Sequence, residues 1–272
     1  MPDTAQTKYQ KRRVHRKKIF DDSEELKGYV VEKLENHWSP EQIAGRMKLD
    51  NLSFYASHET IYQFIYSEAG KLLGLYHLLR YKQAKRGQIY GRKHQSETIK
   101  DRISIHDRPV EISNRLIPGD FEGDLTFFHG NRSANLTVLV DRMSRLTMLV
   151  KNMSKSTADV IDGIVARIKN TPCRSITFDN GSEFTRHTKL REVLGIQTYF
   201  CDPGSPWQKG TVENSISRIH RYIPKNGNLL EWSDREIYEV ETKLNNTPRK
   251  KLGFLTPFEV FKRKNQGVAL QT

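Results

Sequence analysis

A chain of 272 residues, 36% hydrophobic and 28% charged, has enough apolar material for one full buried core and a smaller companion. No apolar run approaches the roughly 20 residues that span a membrane, and the basic, polar N-terminus does not resemble a secretory signal, so neither a membrane role nor export is expected. A formal charge of +13, from 45 Lys and Arg against 32 Asp and Glu, favours a polyanionic partner, nucleic acid above all.

The charge is concentrated. Lys8, Lys11, Arg12, Arg13, Arg16, Lys17 and Lys18 crowd the first 20 residues, which read as a basic arm. From residue 21 the pattern turns helical. Leu26, Val30, Val31 and Leu34 recur at helical spacing between Asp22 and His37. Ser39-Pro40-Glu41-Gln42 then has the form of a capping box with proline at the first helical position, ahead of Ile43 and Met47. Ser57-His58-Glu59-Thr60 opens another helix with Ile61, Phe64 and Ile65 inward. Residues 21–74 are therefore expected to form a small all-α domain of helix-turn-helix type. In that motif the last helix offers its N-terminal side chains to base edges, which makes His58, Thr60 and Gln63 the candidate DNA contacts. Residues 75–115, with Arg80, Lys82, Lys85, Arg86, Arg92 and Lys93, read as a basic linker able to lie along phosphates.

From residue 116 to 265 the pattern is mixed. Strands are expected at Phe121–His129, Leu136–Arg142 and Leu146–Lys151, joined by short turns and hence antiparallel. A helix opened by a Ser156/Asp159 capping box follows, then a strand at Ser175–Asp179, a helix at Lys189–Leu194 and a strand at Ile196–Cys201. A Pro-Gly-Ser-Pro loop leads into a helix from Gly210 to about Tyr222. Three antiparallel strands, helix, strand, helix, strand, helix is the α/β order of the ribonuclease H-like fold, a mixed sheet with flanking helices. Residues 266–272 read as a tail. Cys173 and Cys201 form no Cys-x-x-Cys pair and have no histidine at zinc spacing; they read as small buried residues of a chain kept in a reducing cytoplasm.

Three carboxylates stand where such a fold gathers ligands. Asp124 lies inside the first strand, with Asp120 and Glu122 on the same face because strand side chains alternate. Asp179 ends the fourth strand, and ligands collect at the carboxyl ends of strands in such sheets. Glu213 lies in the first turns of the late helix, beside a buried stripe of Val212, Ile216, Ile219 and Ile223 and on the polar face it shares with Ser217 and His220. Singly, each has an ordinary explanation: a surface aspartate, an Asp-Asn-Gly turn, a glutamate favoured by the helix dipole. Together they suit divalent metal ions. Two such ions about 3.5–4 Å apart can hold the attacking and leaving oxygens of an in-line phosphoryl transfer, and Mg²⁺ needs only a few protein oxygens.

Four segments carry a resemblance. They are Trp38-Ser39-Pro40-Glu41-Gln42-Ile43-Ala44-Gly45-Arg46 with Ser57-His58-Glu59-Thr60-Ile61-Tyr62; Phe121-Glu122-Gly123-Asp124-Leu125; Phe178-Asp179-Asn180-Gly181-Ser182-Glu183-Phe184; and Ser205-Pro206-Trp207-Gln208-Lys209-Gly210-Thr211-Val212-Glu213-Asn214 with Tyr222-Ile223-Pro224-Lys225 and Leu244-Asn245-Asn246-Thr247-Pro248-Arg249-Lys250. Over residues 25–262 the chain resembles the DDE transposases of bacterial insertion sequences, specifically the IS-thirty family, and the 33 residues between Asp179 and Glu213 match that family's spacing. The resemblance implies that Asp124, Asp179 and Glu213 bind two Mg²⁺ or Mn²⁺ ions, that the element's terminal inverted repeats are nicked, and that the freed 3′-hydroxyl is joined to target DNA. It implies no covalent protein–DNA intermediate, a DNA-bound homo-oligomer and a place at the bacterial nucleoid. Lys209 is expected to hold a phosphate, Trp207 to cap the core in preference to stacking on a base, Glu122 and Glu183 to be supporting groups or surface charges, and Asp120 to be a surface charge.

The sequence departs from the family at Phe121, where Trp is usual, at Ile216 and Ser217, where Asn and Gly are usual, and at Thr247, where Arg is common. The family also carries a further helix-turn-helix ahead of this one, in whose place the basic arm is expected. That raises an alternative: a cleavage-incompetent DNA-binding regulator derived from a shortened transposase. A ribonuclease H-like nuclease that cuts without joining is a third reading. A retroviral-type integrase fits less well, since the sequence shows no His/Cys zinc module.

Overall fold

The computed structural model describes residues 19–79, 99–131 and 133–269. The expected basic arm, except Ile19 and Phe20, and the basic cluster from Arg80 to Lys93 lie outside the described residues. Two compact units are present: residues 19–79 with Pro248–Phe254, and residues 99–247 with 255–269.

In the first unit, α1 (Glu24–Glu35) is capped by the Ser23 side chain and buries Leu26, Val30 and Leu34. The capping box of α2 (Pro40–Leu49) is complete. Gln42 N donates to Ser39 Oγ at 3.3 Å, and Ser39 N donates to Gln42 Oε1 at 2.8 Å. The third helix, α3 (His58–Ile65), is capped by Ser57 and buries Ile61, Phe64 and Ile65. Phe20 stacks on Phe64 with ring centroids 4.2 Å apart. The returning segment joins this unit through a hydrogen bond from Gln42 Nε2 to Pro248 O, and the Phe254 ring lies against Gly45, where an added Cβ would come within 2.3 Å of it.

The second unit is built on a five-stranded sheet of order β3-β2-β1-β4-β5. Its strands are β1 (Asp120–Phe127), β2 (Asn135–Asp141), β3 (Thr147–Asn152), β4 (Ser175–Phe178) and β5 (Gln197–Phe200). Strands β1 to β3 pair antiparallel, and β4 joins β1, and β5 joins β4, in parallel. This is the ribonuclease H-like arrangement expected from the sequence. Alternation along the strands makes two apolar faces. Phe121, Leu125, Leu139, Met148, Ile176 and Phe178 pack against α4 (Thr157–Ile168) and α5 (Thr188–Leu194). Leu136, Val138, Val140 and Leu149 pack against α6 (Gly210–Ile219) and α7 (Asp234–Asn245). The last helix, α8 (Pro257–Ala269), runs through most of the expected tail.

Exposed sheet edges offer unpaired backbone groups to other chains, and both edges here are covered. On β3, Leu149 N donates to Glu241 Oε2 at 2.7 Å, and Thr147 exchanges hydrogen bonds with the Asn245 side chain, both partners coming from α7. On β5, Phe200 N donates to Ile103 O at 2.9 Å. Of the stretch expected to be a linker, residues 75–79 and 99–115 are among the described residues. Leu75 is buried in the first unit. Ile99 is buried in the second, where Arg108 reaches Thr177 and Arg142 reaches the carbonyl of Ile112. The half-buried Arg108 thus serves the fold as a donor, which composition alone does not distinguish from a solvated run. The Ser156/Asp159 capping box is half formed: Ser156 accepts from Asp159 N, while the Asp159 carboxylate takes Ser154 Oγ instead.

Candidate active site

Asp124 lies within β1 on the face covered by α6, and its Oδ1 accepts the backbone N–H of Leu125 at 2.9 Å. Asp179 follows β4 directly. Its Oδ1 accepts Gly181 N at 3.0 Å, closing the Asp-Asn-Gly turn, and Asn180 Nδ2 fastens that turn to Cys201 O at 2.8 Å. Parallel pairing of β1 with β4 brings the two aspartates side by side. Between them stands Lys209, from the turn just before α6. Its Nζ is 3.1 Å from Asp124 Oδ2 and 2.9 Å from Asp179 Oδ2, and the residue is only 4% exposed.

The electrostatics follow from that burial. Desolvation raises the Asp124 pKa, and Asp179 adds to the rise, against the lowering by Lys209. Burial pulls the Lys209 pKa down, but the two carboxylates together outweigh it, so it ends above the ordinary lysine value and the side chain stays charged. Glu183, whose carboxyl folds back over Gly181, is also pushed up by burial, with Asp179 and Asp124 contributing. Glu213 points into solvent from the first turn of α6 and makes no hydrogen bond or ion pair among the described residues. No group of three or more His, Cys, Asp or Glu is gathered at metal-holding distance among the described residues. The structure therefore brings Asp124 and Asp179 together on one cation position, while the exposed Glu213 is not gathered with them.

The integrase core domain family matches residues 118–206, which span the sheet from β1 to the loop before α6. Transposase InsI of insertion sequence element IS30A from Escherichia coli (strain K12) is 38% identical over 263 residues, covering 93% of this chain and 67% of that protein. The transposase of IS1086 from Cupriavidus metallidurans is also 38% identical, covering 86% of this chain and 71% of that protein. The chain belongs to the IS30 family of DDE transposases. Among solved structures, the catalytic core domain of BIV integrase is similar at 22% identity and a TM-score of 0.45, over 56% of this chain and 98% of that one.

In this IS30-family transposase two expectations need correction. Asp120 is not a surface charge: it is 2% exposed, accepts Ser175 Oγ at 2.7 Å and pairs with Arg174. The parallel pairing of β1 with β4 sets Asp120 opposite Ser175, a relation that only the sheet register reveals. Trp207 does not cap the core but is 74% exposed, because the turn before α6 carries it outward. Lys209, the expected phosphate contact, is turned into the carboxylates, its ammonium between Asp124 and Asp179.

Of the helix-turn-helix candidates, His58 and Gln63 are exposed on α3. Thr60 is half-buried and its hydroxyl bonds Ser57 Oγ at 2.8 Å. Both cysteines have thiol pKa values raised by burial, Cys201 to about 11, so neither is a nucleophile at neutral pH. No helix among the described residues is long and apolar enough to cross a membrane. The residue that sequence reasoning undervalued is Glu122, fully buried and bonded to the start of α6. A signal was available: α6 begins at Lys209-Gly210, with no Ser, Thr, Asp or Asn to cap it.

Proposed function

We propose that this transposase cuts the terminal inverted repeats of its element and joins the freed 3′-hydroxyl to target DNA by metal-dependent phosphoryl transfer. Asp124, Asp179 and Glu213 serve as the metal carboxylates. The observation that carries the reading is the convergence of Asp124 Oδ2 and Asp179 Oδ2 on a single cation, here the Lys209 ammonium. A pair of aspartate oxygens aimed at one positive charge, one of them partly solvated, fits Mg²⁺ or Mn²⁺, which keep several waters. Two bound ions supply charge stabilisation at the scissile phosphate and activation of the attacking oxygen. The chain's own residues do the rest. Asp124 and Asp179 are held rigidly by β1 and the Asp179–Gly181 turn, Glu213 is delivered by α6, and Lys209, once displaced from the carboxylates, is placed to meet a phosphate of the bound DNA. His58, Thr60 and Gln63 of α3 are the proposed base contacts of a helix-turn-helix. A DNA-bound homo-oligomer acting at the nucleoid completes the proposal.

The outward, solvent-exposed side chain of Glu213 favours a second reading, a regulator that binds the ends without cutting them. Incubation of purified protein with Mg²⁺ and a labelled duplex carrying the element's end, beside Asp179→Ala and Glu213→Ala, decides between them. Nicked and joined products from the wild type, lost in both variants with end binding kept, support the transposase. Binding without cleavage in either Mg²⁺ or Mn²⁺ supports the regulator, and nicking without joining supports a nuclease.

A further inference from the structure

We propose that Glu122 is a positioning residue for the metal site: it caps the helix that carries Glu213 and ties that helix to the strand that carries Asp124. The inference rests on the reading of Asp124, Asp179 and Glu213 as metal carboxylates. Helix α6 has no cap of its own; Lys209 occupies the N-cap position and makes no side-chain cap hydrogen bond. The first N–H groups of a helix have no intrahelical acceptor. Here Thr211 N and Val212 N both donate to Glu122 Oε2, at 3.0 and 3.1 Å. Glu122 is two residues before Asp124 in β1, so both carboxylates stand on the same face of the sheet.

The other oxygen of Glu122 is also occupied. Oε1 accepts Arg142 Nε at 3.2 Å and faces Arg115 Nη2 at 3.8 Å. Arg145 Nη1 adds a bond to Thr211 Oγ1 at 2.7 Å, from the turn that follows β2. A carboxylate with no exposure is costly unless its charge is matched. Arg142 matches it on one oxygen, and the positive end of the α6 dipole matches it on the other. An ion pair that served the fold alone would need only the arginine. The second oxygen fixes the first turn of α6, and Glu213 follows Val212 immediately. Glu122 thus sets the spacing between two of the three metal carboxylates, where a displacement of an ångström is expensive.

The test uses the full chain as wild type, Glu122→Gln and the double variant Glu122→Met with Arg142→Met. Glu122→Gln keeps an acceptor but loses the charge. The double variant removes the ion pair together, leaving no unpaired buried charge. Four quantities are read: the unfolding temperature, hydrogen exchange at the start of α6, Mn²⁺ affinity by electron paramagnetic resonance, and cleavage of a labelled element end. The expected result is faster exchange at Thr211 and Val212 in both variants, with Mn²⁺ affinity and cleavage each lower by about 10–100-fold, the usual range for groups that orient ligands. The double variant recovers thermal stability without recovering metal affinity. Wild-type exchange and Mn²⁺ affinity in Glu122→Gln, or recovery of all four quantities in the double variant, overturns the proposal and leaves Glu122 as a partner of Arg142 only. A wild type that neither binds Mn²⁺ nor cleaves overturns the metal reading of the site and this inference with it.

Discussion

Lys209 and Asp179 form an ion pair at 2.9 Å in which the lysine is almost wholly buried while the aspartate side chain remains 42% exposed. The same ammonium reaches Asp124, so one side chain holds together two carboxylates that would otherwise repel each other. A divalent ion placed there competes with Lys209 for the same oxygens. Lys209→Gln is therefore expected to bind Mn²⁺ more tightly than the wild type in the absence of DNA, by isothermal calorimetry. In metal-free buffer the variant loses about 1 kcal/mol of stability, a modest figure because solvent reaches Asp179 and screens the pair. Added Mg²⁺ restores it. Unchanged or weaker Mn²⁺ binding would show that lysine and metal do not share the position.

Trp207 gives a prediction of the opposite kind, large for binding and small for folding. With the side chain 74% exposed, Trp207→Ala removes little buried area, and the stability change stays within about 0.5 kcal/mol. An exposed indole two residues from Lys209 is suited to stack on a base at an opened DNA end. Such stacking contributes about 1–3 kcal/mol per base. Fluorescence anisotropy with a duplex bearing a frayed element end should show weaker binding by the variant. Equal affinity at unchanged stability would remove Trp207 from the DNA interface.

Gly123 separates Glu122 from Asp124 and faces the opposite side of the sheet, where an added Cβ would stand 2.5 Å from the Phe178 ring. The glycine is there for close packing, since its backbone is ordinary extended strand. Gly123→Ala is expected to cost about 1–3 kcal/mol, the usual penalty of overpacking a filled core. Shrinking the ring with Phe178→Leu should return part of it. Urea denaturation of the single and double variants measures both quantities. Independent, additive losses would mean that the two positions do not press on each other.

The sheet, its helices and both aspartates were legible because each writes a local signal: period-two strands, helical stripes, an Asp-Asn-Gly turn. What stayed hidden depends on contacts distant in sequence. Glu241 and Asn245 look like solvent-facing helix residues, yet both are buried and satisfy the open edge of β3. Asp120 looks like a surface charge until the β1–β4 register sets it opposite Ser175. Glu122 looks interchangeable with its acidic neighbours, and only the approach of α6 singles it out. A buried polar group is defined by its partner, and these partners lie 55 to 98 residues away.

His220 makes the fold sensitive to acid. Its Nε2 is 3.0 Å from Thr126 Oγ1, and its ring packs edge-on against Phe128. Burial lowers its pKa from 6.5, and Lys225 and His129 add to the lowering, although the Ile223 carbonyl works against it. As pH falls past 6.5 the unfolded chain takes up the proton first, so protons favour unfolding. The stability contributed by neutral His220 is therefore present above the unfolded value and is lost as pH falls through the lower folded value. His220→Gln keeps a hydrogen-bonding group but does not titrate. Urea denaturation midpoints taken from pH 8 to pH 5 should fall more steeply for the wild type than for the variant, with the two curves diverging below about pH 6.5. Parallel curves over that range would mean that the imidazole carries its charge as easily inside the fold as outside it.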